Sequence, residues 1–176
     1  GAVERDAARK GRDFTASARD LGVAVAGVHG ALGSALATTD AGPTEVIATG
    51  AAWHRRLGIA ASEVPAVADR LAAIEAVYAA ALERPWPRLQ RIHGDYHLGQ
   101  VLLVPGRGWV LLDFEGEPVR PLSERVLPDL ALRDVAGMLR SFDYVAGSIR
   151  LQQPEQPVER VDEWTATARA AFLDGY

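Results

Sequence analysis

Two short stretches concentrate the reactive side chains: His93-Gly94-Asp95-Tyr96-His97-Leu98-Gly99-Gln100 and Asp113-Phe114-Glu115-Gly116-Glu117-Pro118. Their residue types suit phosphoryl transfer to a hydroxyl. That chemistry needs one carboxylate to take or orient the acceptor's proton. It needs a second carboxylate to hold Mg²⁺ against the phosphates, and a nearby amide oxygen to complete the metal shell. Asp95 fits the first role, Asp113 the second and Gln100 the third, with Glu115 as a further carboxylate beside Asp113.

The spacing carries more than the types. Asp95 and Gln100 are five residues apart, as are the base and the metal-binding amide of the protein-kinase pattern. Gln100–Val104 and Trp109–Phe114 read as strands, joined by Pro105-Gly106-Arg107-Gly108, a good hairpin turn. The hairpin delivers Asp113-Phe114 back to the end where Asp95 begins. His93 reads as a structural histidine, its ring bonding the loop backbone or a carboxylate such as Asp134. His97 reads as an orienting residue or a surface histidine, and Asp134 as a brace for the loop. Arg140 and Tyr144, four apart on one helix with Arg133, suit a sugar, because Arg bonds hydroxyls and a ring packs on a pyranose face. Glu117, Arg120 and Trp164 are weaker candidates for the same role. His29 and His54 lie in helical patterns with no evident partner.

Two other readings stay open on these residues. In a strand, His93, Asp95 and His97 would point the same way and make a metal-dependent hydrolase site. A catalytically silent binding module is the other.

The elements that must position these residues are mostly helical. Asp13 to about Ala37 is a helical pattern, with Leu21, Val25, Val28, Leu32 and Leu36 as its apolar stripe. Its glycines, Gly22, Gly27, Gly30 and Gly33, suggest close packing against a neighbour. Residues 38–50 read as loop around Asp40-Ala41-Gly42-Pro43. A short helix at 51–57 follows, then a longer one capped by Ser62 and running to about Leu82. Asp129 caps a helix from Leu130 to about Ala146, and Val161–Phe172 is the last. A two-strand hairpin is marginal alone and must lie on helices. The fold class is therefore α+β, mainly helical, with residues 1–176 as one domain and 1–12 as a loose start.

The chain has 176 residues, 19 Lys+Arg and 23 Asp+Glu, for a formal net charge of −4. That balance excludes a general nucleic-acid binder with a basic face. No run of about 18 apolar residues suggests a membrane span. The cysteine count is zero, which excludes disulfide scaffolds and thiolate metal sites and suits a reducing cytoplasm. The only lysine is Lys10, against 18 arginines.

The motif His93-Gly94-Asp95-x-His97 with the downstream Asp113-Phe114 resembles the aminoglycoside-phosphotransferase branch of the protein-kinase-like superfamily. The strings at 93–100, 111–118, 120–125 and 132–144 resemble the maltokinase family of actinobacteria, which makes maltose 1-phosphate from maltose and ATP on the route from trehalose to α-glucan. The resemblance is specific over about residues 91–146. It implies a kinase-like C-terminal lobe, ATP and Mg²⁺ as cofactors, and trehalose synthase as a partner. It makes Asp95 the catalytic base and Asp113 a metal ligand. Gln100 stands where most relatives place Asn, and Glu115 replaces the usual Gly. Glucosamine, another amino sugar or an aminoglycoside is the alternative acceptor. The family's nucleotide-binding lobe, with its Gly-rich loop and strand lysine, has no counterpart here, and Lys10 lies in a polar segment. The expectation is a C-terminal lobe that shows little activity without its N-terminal partner lobe.

Overall fold

The computed structural model describes residues 14–118 and 121–176. Lys10, Arg120 and the expected loose start at 1–12 lie outside these residues. The described chain forms helices α1 (Thr15–Ala35), α2 (Pro43–Glu63), α3 (Pro65–Ala68) and α4 (Leu71–Leu82). A single 3₁₀ turn, Leu98–Gln100, leads into strands β1 (Val101–Val104) and β2 (Gly108–Leu111). Helices α5 (Leu122–Arg125), α6 (Leu132–Gln152) and α7 (Val158–Gly175) complete it. The chain divides into two compact units, residues 39–89 and the remainder.

The larger unit is built around α1, α6 and α7. Their apolar stripes meet at Phe142, which is fully buried. Its ring lies edge-on to Phe14, Trp164 and Phe172, with centroids 6.0–6.3 Å away. Truncating such a residue to Ala costs about 3–5 kcal/mol. Trp164 is therefore a core residue, and its assignment to a sugar face is corrected. Leu21 and Val25 of the expected α1 stripe are buried, but Leu36 is half exposed, and His29 is buried in its place. Helix α1 approaches α7 closely at Gly22, where any Cβ would overlap the Phe172 carbonyl. Gly27 and Gly30, by contrast, face open space.

The hairpin pairs Val101 with Leu111 and Val104 with Gly108 in antiparallel register. Gly106 and Gly108 both adopt positive φ, 75° and 84°, which only glycine does freely. The indole of Trp109 donates to the Ser17 carbonyl at 2.8 Å, fixing β2 on α1. This supplies the helical support that a lone hairpin lacks. The second strand ends at Leu111, so residues 112–114 are loop, not strand as expected.

The smaller unit corrects the reading of residues 38–50. Pro43 begins a 21-residue helix rather than breaking the chain. Pro suits the first helical position, where its missing N–H would have had no partner anyway. Ser62 lies inside this helix, with its hydroxyl bonded to the Ile59 carbonyl, and does not cap the next one. Thr39 and Leu89 close the unit's two ends through an isolated antiparallel bridge. Trp53 stacks on Trp86 at 5.8 Å and leans on Tyr78 at 5.3 Å.

Candidate active site

The loop carrying Asp95 hangs on a single buried carboxylate. Asp134, in the first turn of α6, is 2% exposed. Its Oδ2 accepts from the His93 backbone N–H at 2.8 Å, and its Oδ1 accepts from the Gly94 N–H at 2.9 Å. Gly94 has φ 85°, so the chain turns sharply here and presents both amides to one acceptor. Helix α6 is reached again further on. The Leu98 N–H donates to Ser141 Oγ at 3.0 Å, and Leu98 itself is buried.

His93 is fully buried, and its ring joins the two reactive stretches. Nε2 donates to the Leu112 carbonyl at 2.6 Å, while Nδ1 accepts from the Asp95 N–H at 3.3 Å. This pair of partners fixes the Nε2–H tautomer. The ring also lies 4.8 Å from Phe114. Of the two partners expected for the His93 ring, the loop backbone is the one observed; Asp134 holds the backbone N–H of His93 instead of its ring. Both ring nitrogens are engaged, so His93, Asp95 and His97 do not form a metal set. Among the described residues no three His, Asp or Glu side chains gather for one. The hydrolase reading loses its site.

Asp95 is partly exposed. His97 Nδ1 accepts from the Gly99 N–H at 3.0 Å, which leaves the hydrogen on Nε2, 4.0 Å from Asp95 Oδ2. His97 thus caps the 3₁₀ turn and turns its remaining N–H toward Asp95. That turn ends in Gln100, whose Nε2 donates to Asp113 Oδ2 at 3.2 Å. Asp113 is held at φ 60°, the only described non-glycine residue with positive φ. Such a backbone costs on the order of 1–3 kcal/mol and persists where the surroundings enforce it. Here Leu112 on one side is bonded to His93, and Phe114 on the other packs on its ring. The Phe114 carbonyl also accepts from Arg91 Nη2 at 2.7 Å, and a second Arg91 nitrogen bonds the Arg125 carbonyl.

Asp113 and Gln100 fit a hard cation. Both lie at the open end of the hairpin, and a half-turn of the Gln100 amide would present its oxygen beside the carboxylate. Glu115 is exposed on the same loop.

The remaining candidates fall elsewhere. Arg133 bridges Asp129 and Glu117, at 2.9 Å to each. These residues line a cavity of about 10 Å³ with Gly94 and Gly116, room for about one water. Glu117 and Arg133 are thus committed to each other behind the loop. Arg140 and Tyr144 are exposed on α6, the guanidinium 5.8 Å from the ring centroid. Sequence reasoning missed His29, whose Nε2 lies 3.1 Å from Asp134 Oδ2 and whose Nδ1 lies 3.0 Å from the Tyr176 hydroxyl. No spacing rule links residues 105 positions apart.

A helical lobe with a hairpin that brings Asp95, Gln100 and Asp113 to one end defines the phosphotransferase class within the kinase-like folds. The chain belongs to the Phosphotransferase enzyme family, whose pattern matches residues 2–173. It is 36% identical over 164 residues to a glucosamine kinase of Streptacidiphilus jiangxiensis, covering 90% of this chain and 37% of that protein. It is 40% identical over 84 residues to a glucosamine kinase of Mycolicibacterium smegmatis, covering 48% of this chain and 21% of that one. A solved glucosamine kinase in complex with glucosamine, ADP and inorganic phosphate superposes with a TM-score of 0.86 at 30% identity. That match covers 98% of this chain and 43% of the solved one. The chain thus spans less than half the length of these relatives.

Proposed function

We propose that this chain is the acceptor-side, C-terminal lobe of an ATP-dependent amino-sugar kinase, with glucosamine as the acceptor. The observation that carries the reading is the likeness, over nearly the whole chain, to a glucosamine kinase solved with glucosamine and ADP. The matching relatives favour the amino-sugar alternative over maltose, and with it they remove the support for a link to trehalose synthase.

In this reading Asp95 accepts the proton of the attacking sugar hydroxyl. The hydroxyl oxygen bonds to the γ-phosphorus of ATP, the bond to the β-phosphate oxygen breaks, and ADP leaves. Asp113 and Gln100 would hold Mg²⁺, with Glu115 beside them, and the bound ion would neutralise charge on the phosphates. His93 and Asp134 set the position of Asp95, and His97 holds the turn between Asp95 and Gln100. Little covalent work falls to the protein, so orientation and electrostatics carry the rate. Arg140 and Tyr144 remain candidates for sugar contact. The nucleotide would be held by a separate N-terminal lobe.

The test is a panel of glucosamine, maltose and an aminoglycoside on the protein carrying this chain together with its nucleotide lobe. The product is read by ³¹P NMR. A phosphate ester on glucosamine is expected. Turnover of maltose with none of glucosamine would overturn the assignment.

A further inference from the structure

Asp134 has one contact that its role toward the loop does not require. Two loop amides already occupy one oxygen each. His29, reaching across from α1, adds a third donor and ties the same carboxylate to a second helix. Its Nε2 lies 3.1 Å from the same Oδ2 that accepts from the His93 amide. His29 is 7% exposed, so water does not compete for this bond.

The orientation of His29 is itself fixed. A carboxylate only accepts, so Nε2 must donate, and Nδ1 is free to accept from the Tyr176 hydroxyl at 3.0 Å. The two rings meet edge to face, at 5.6 Å and 85°. The backbone carbonyl of His29 accepts from Gln90 Nε2 at 2.9 Å, and Gln90 lies three residues before the loop begins. Helix α1 therefore grips the reactive loop twice, once through Gln90 and once through Asp134.

We infer that His29 is a positioning residue for phosphoryl transfer: its Nε2–H locks the Asp134 carboxylate, and that carboxylate sets the His93 and Gly94 amides from which Asp95 projects. The inference rests on the reading of Asp95 as the base. His29 touches neither substrate nor metal. Its effect lies on the rate of the chemical step rather than on binding, because small displacements of a base alter the transition state more than the ground state.

The experiment compares His29→Ala, His29→Gln and Asp95→Asn in the protein carrying both lobes. His29→Ala is expected to lower kcat by about tenfold or more, with KM for sugar and ATP within about twofold. Gln places a donor nitrogen near the position of Nε2, so His29→Gln should recover kcat to within about threefold of the parent. In the same two-lobe protein, amide exchange at His93 and Gly94 should accelerate in His29→Ala and return to the parent rate in His29→Gln. Parent-like kcat in His29→Ala, or a Gln variant as impaired as Ala, overturns the inference. Near-normal kcat in Asp95→Asn overturns the underlying reading instead, and the exchange rates still decide whether His29 holds the loop. Should His29→Ala fail to fold, His29→Leu, which keeps the bulk but has no donor, takes its place: faster exchange than in His29→Gln supports the link, and equal exchange refutes it.

Discussion

Gln100 precedes the hairpin and Asp113 follows it, 13 residues apart in sequence, and their side chains meet at 3.2 Å. The antiparallel register makes this contact. Val101 faces Leu111, so the residues just outside that pair are carried to the same end. The Leu112 N–H donates to the Gln100 carbonyl at 2.9 Å, which extends the ladder one step further and aims both side chains outward.

The first prediction concerns this pair. In the protein with its nucleotide lobe, Asp113→Asn should lower phosphoryl transfer at saturating Mg²⁺ by about a hundredfold or more. Gln100→Ala should raise the half-saturating Mg²⁺ by about tenfold, with a smaller effect on the maximal rate. Titrating activity with MgCl₂ after EDTA treatment checks both. An unchanged Mg²⁺ requirement in either variant contradicts the assignment of its side chain.

The second prediction separates two glycines of α1. Gly22 packs on the α7 backbone, and Ala there overlaps the Phe172 carbonyl. Gly22→Ala should destabilise the fold by about 1–3 kcal/mol. Gly27 has nothing within 4 Å of its would-be Cβ and lies in a helix interior. Gly27→Ala should therefore stabilise it by about 0.5–1 kcal/mol. Urea unfolding of residues 1–176 measures the difference, and equal effects at the two sites would refute the packing described.

The third prediction follows from Tyr96. Its hydroxyl is buried with no hydrogen-bond partner among the described residues. Burial, and then the negative charge of Asp134, push its pKa above the ordinary tyrosine value. The folded state thus favours the neutral phenol. The stability this contributes is fully present below the unfolded pKa of about 10 and declines as pH rises beyond it. Tyr96→Phe removes both the unsatisfied hydroxyl and this ionisation. It should leave stability at pH 8 equal or higher by about 1 kcal/mol. It should also reduce the loss of Tm between about pH 9 and pH 11. Thermal unfolding across that range decides, and an identical alkaline loss in the variant counts against the burial of Tyr96.

The reactive loop and the hairpin were legible in the sequence because their signals are local. The distance from Asp95 to Gln100 is fixed by spacing, and Gly106 and Gly108 mark the turn between the strands. Helix α6 was legible in part: the pattern over 130–146 finds it, but its N-cap is Ala131 rather than Asp129, and it runs on to Gln152. The start of α2 was misread because Gly42-Pro43 serves equally as a break and as a cap followed by a first helical residue. Only packing decides between them. The bond from the His93 ring to the loop backbone was legible, but its second partner was missed for a related reason. A sequence gives a histidine's neighbours along the chain, but the Leu112 carbonyl reaches it only after the hairpin closes. His29 was invisible altogether, since a histidine on an apolar stripe looks like a core substitution until the carboxylate opposite it is known.

The assignment of Asp95 is tested most directly by steady-state kinetics of Asp95→Asn with glucosamine and ATP, in the protein that joins this chain to its nucleotide lobe. Asn keeps the size and the hydrogen-bonding reach of the side chain but cannot take a proton. A fall in kcat of about 10²–10⁴, with KM for glucosamine changed by no more than about threefold, is the predicted result. A variant that turns over at close to the parent rate would show that the proton goes elsewhere and would contradict the account.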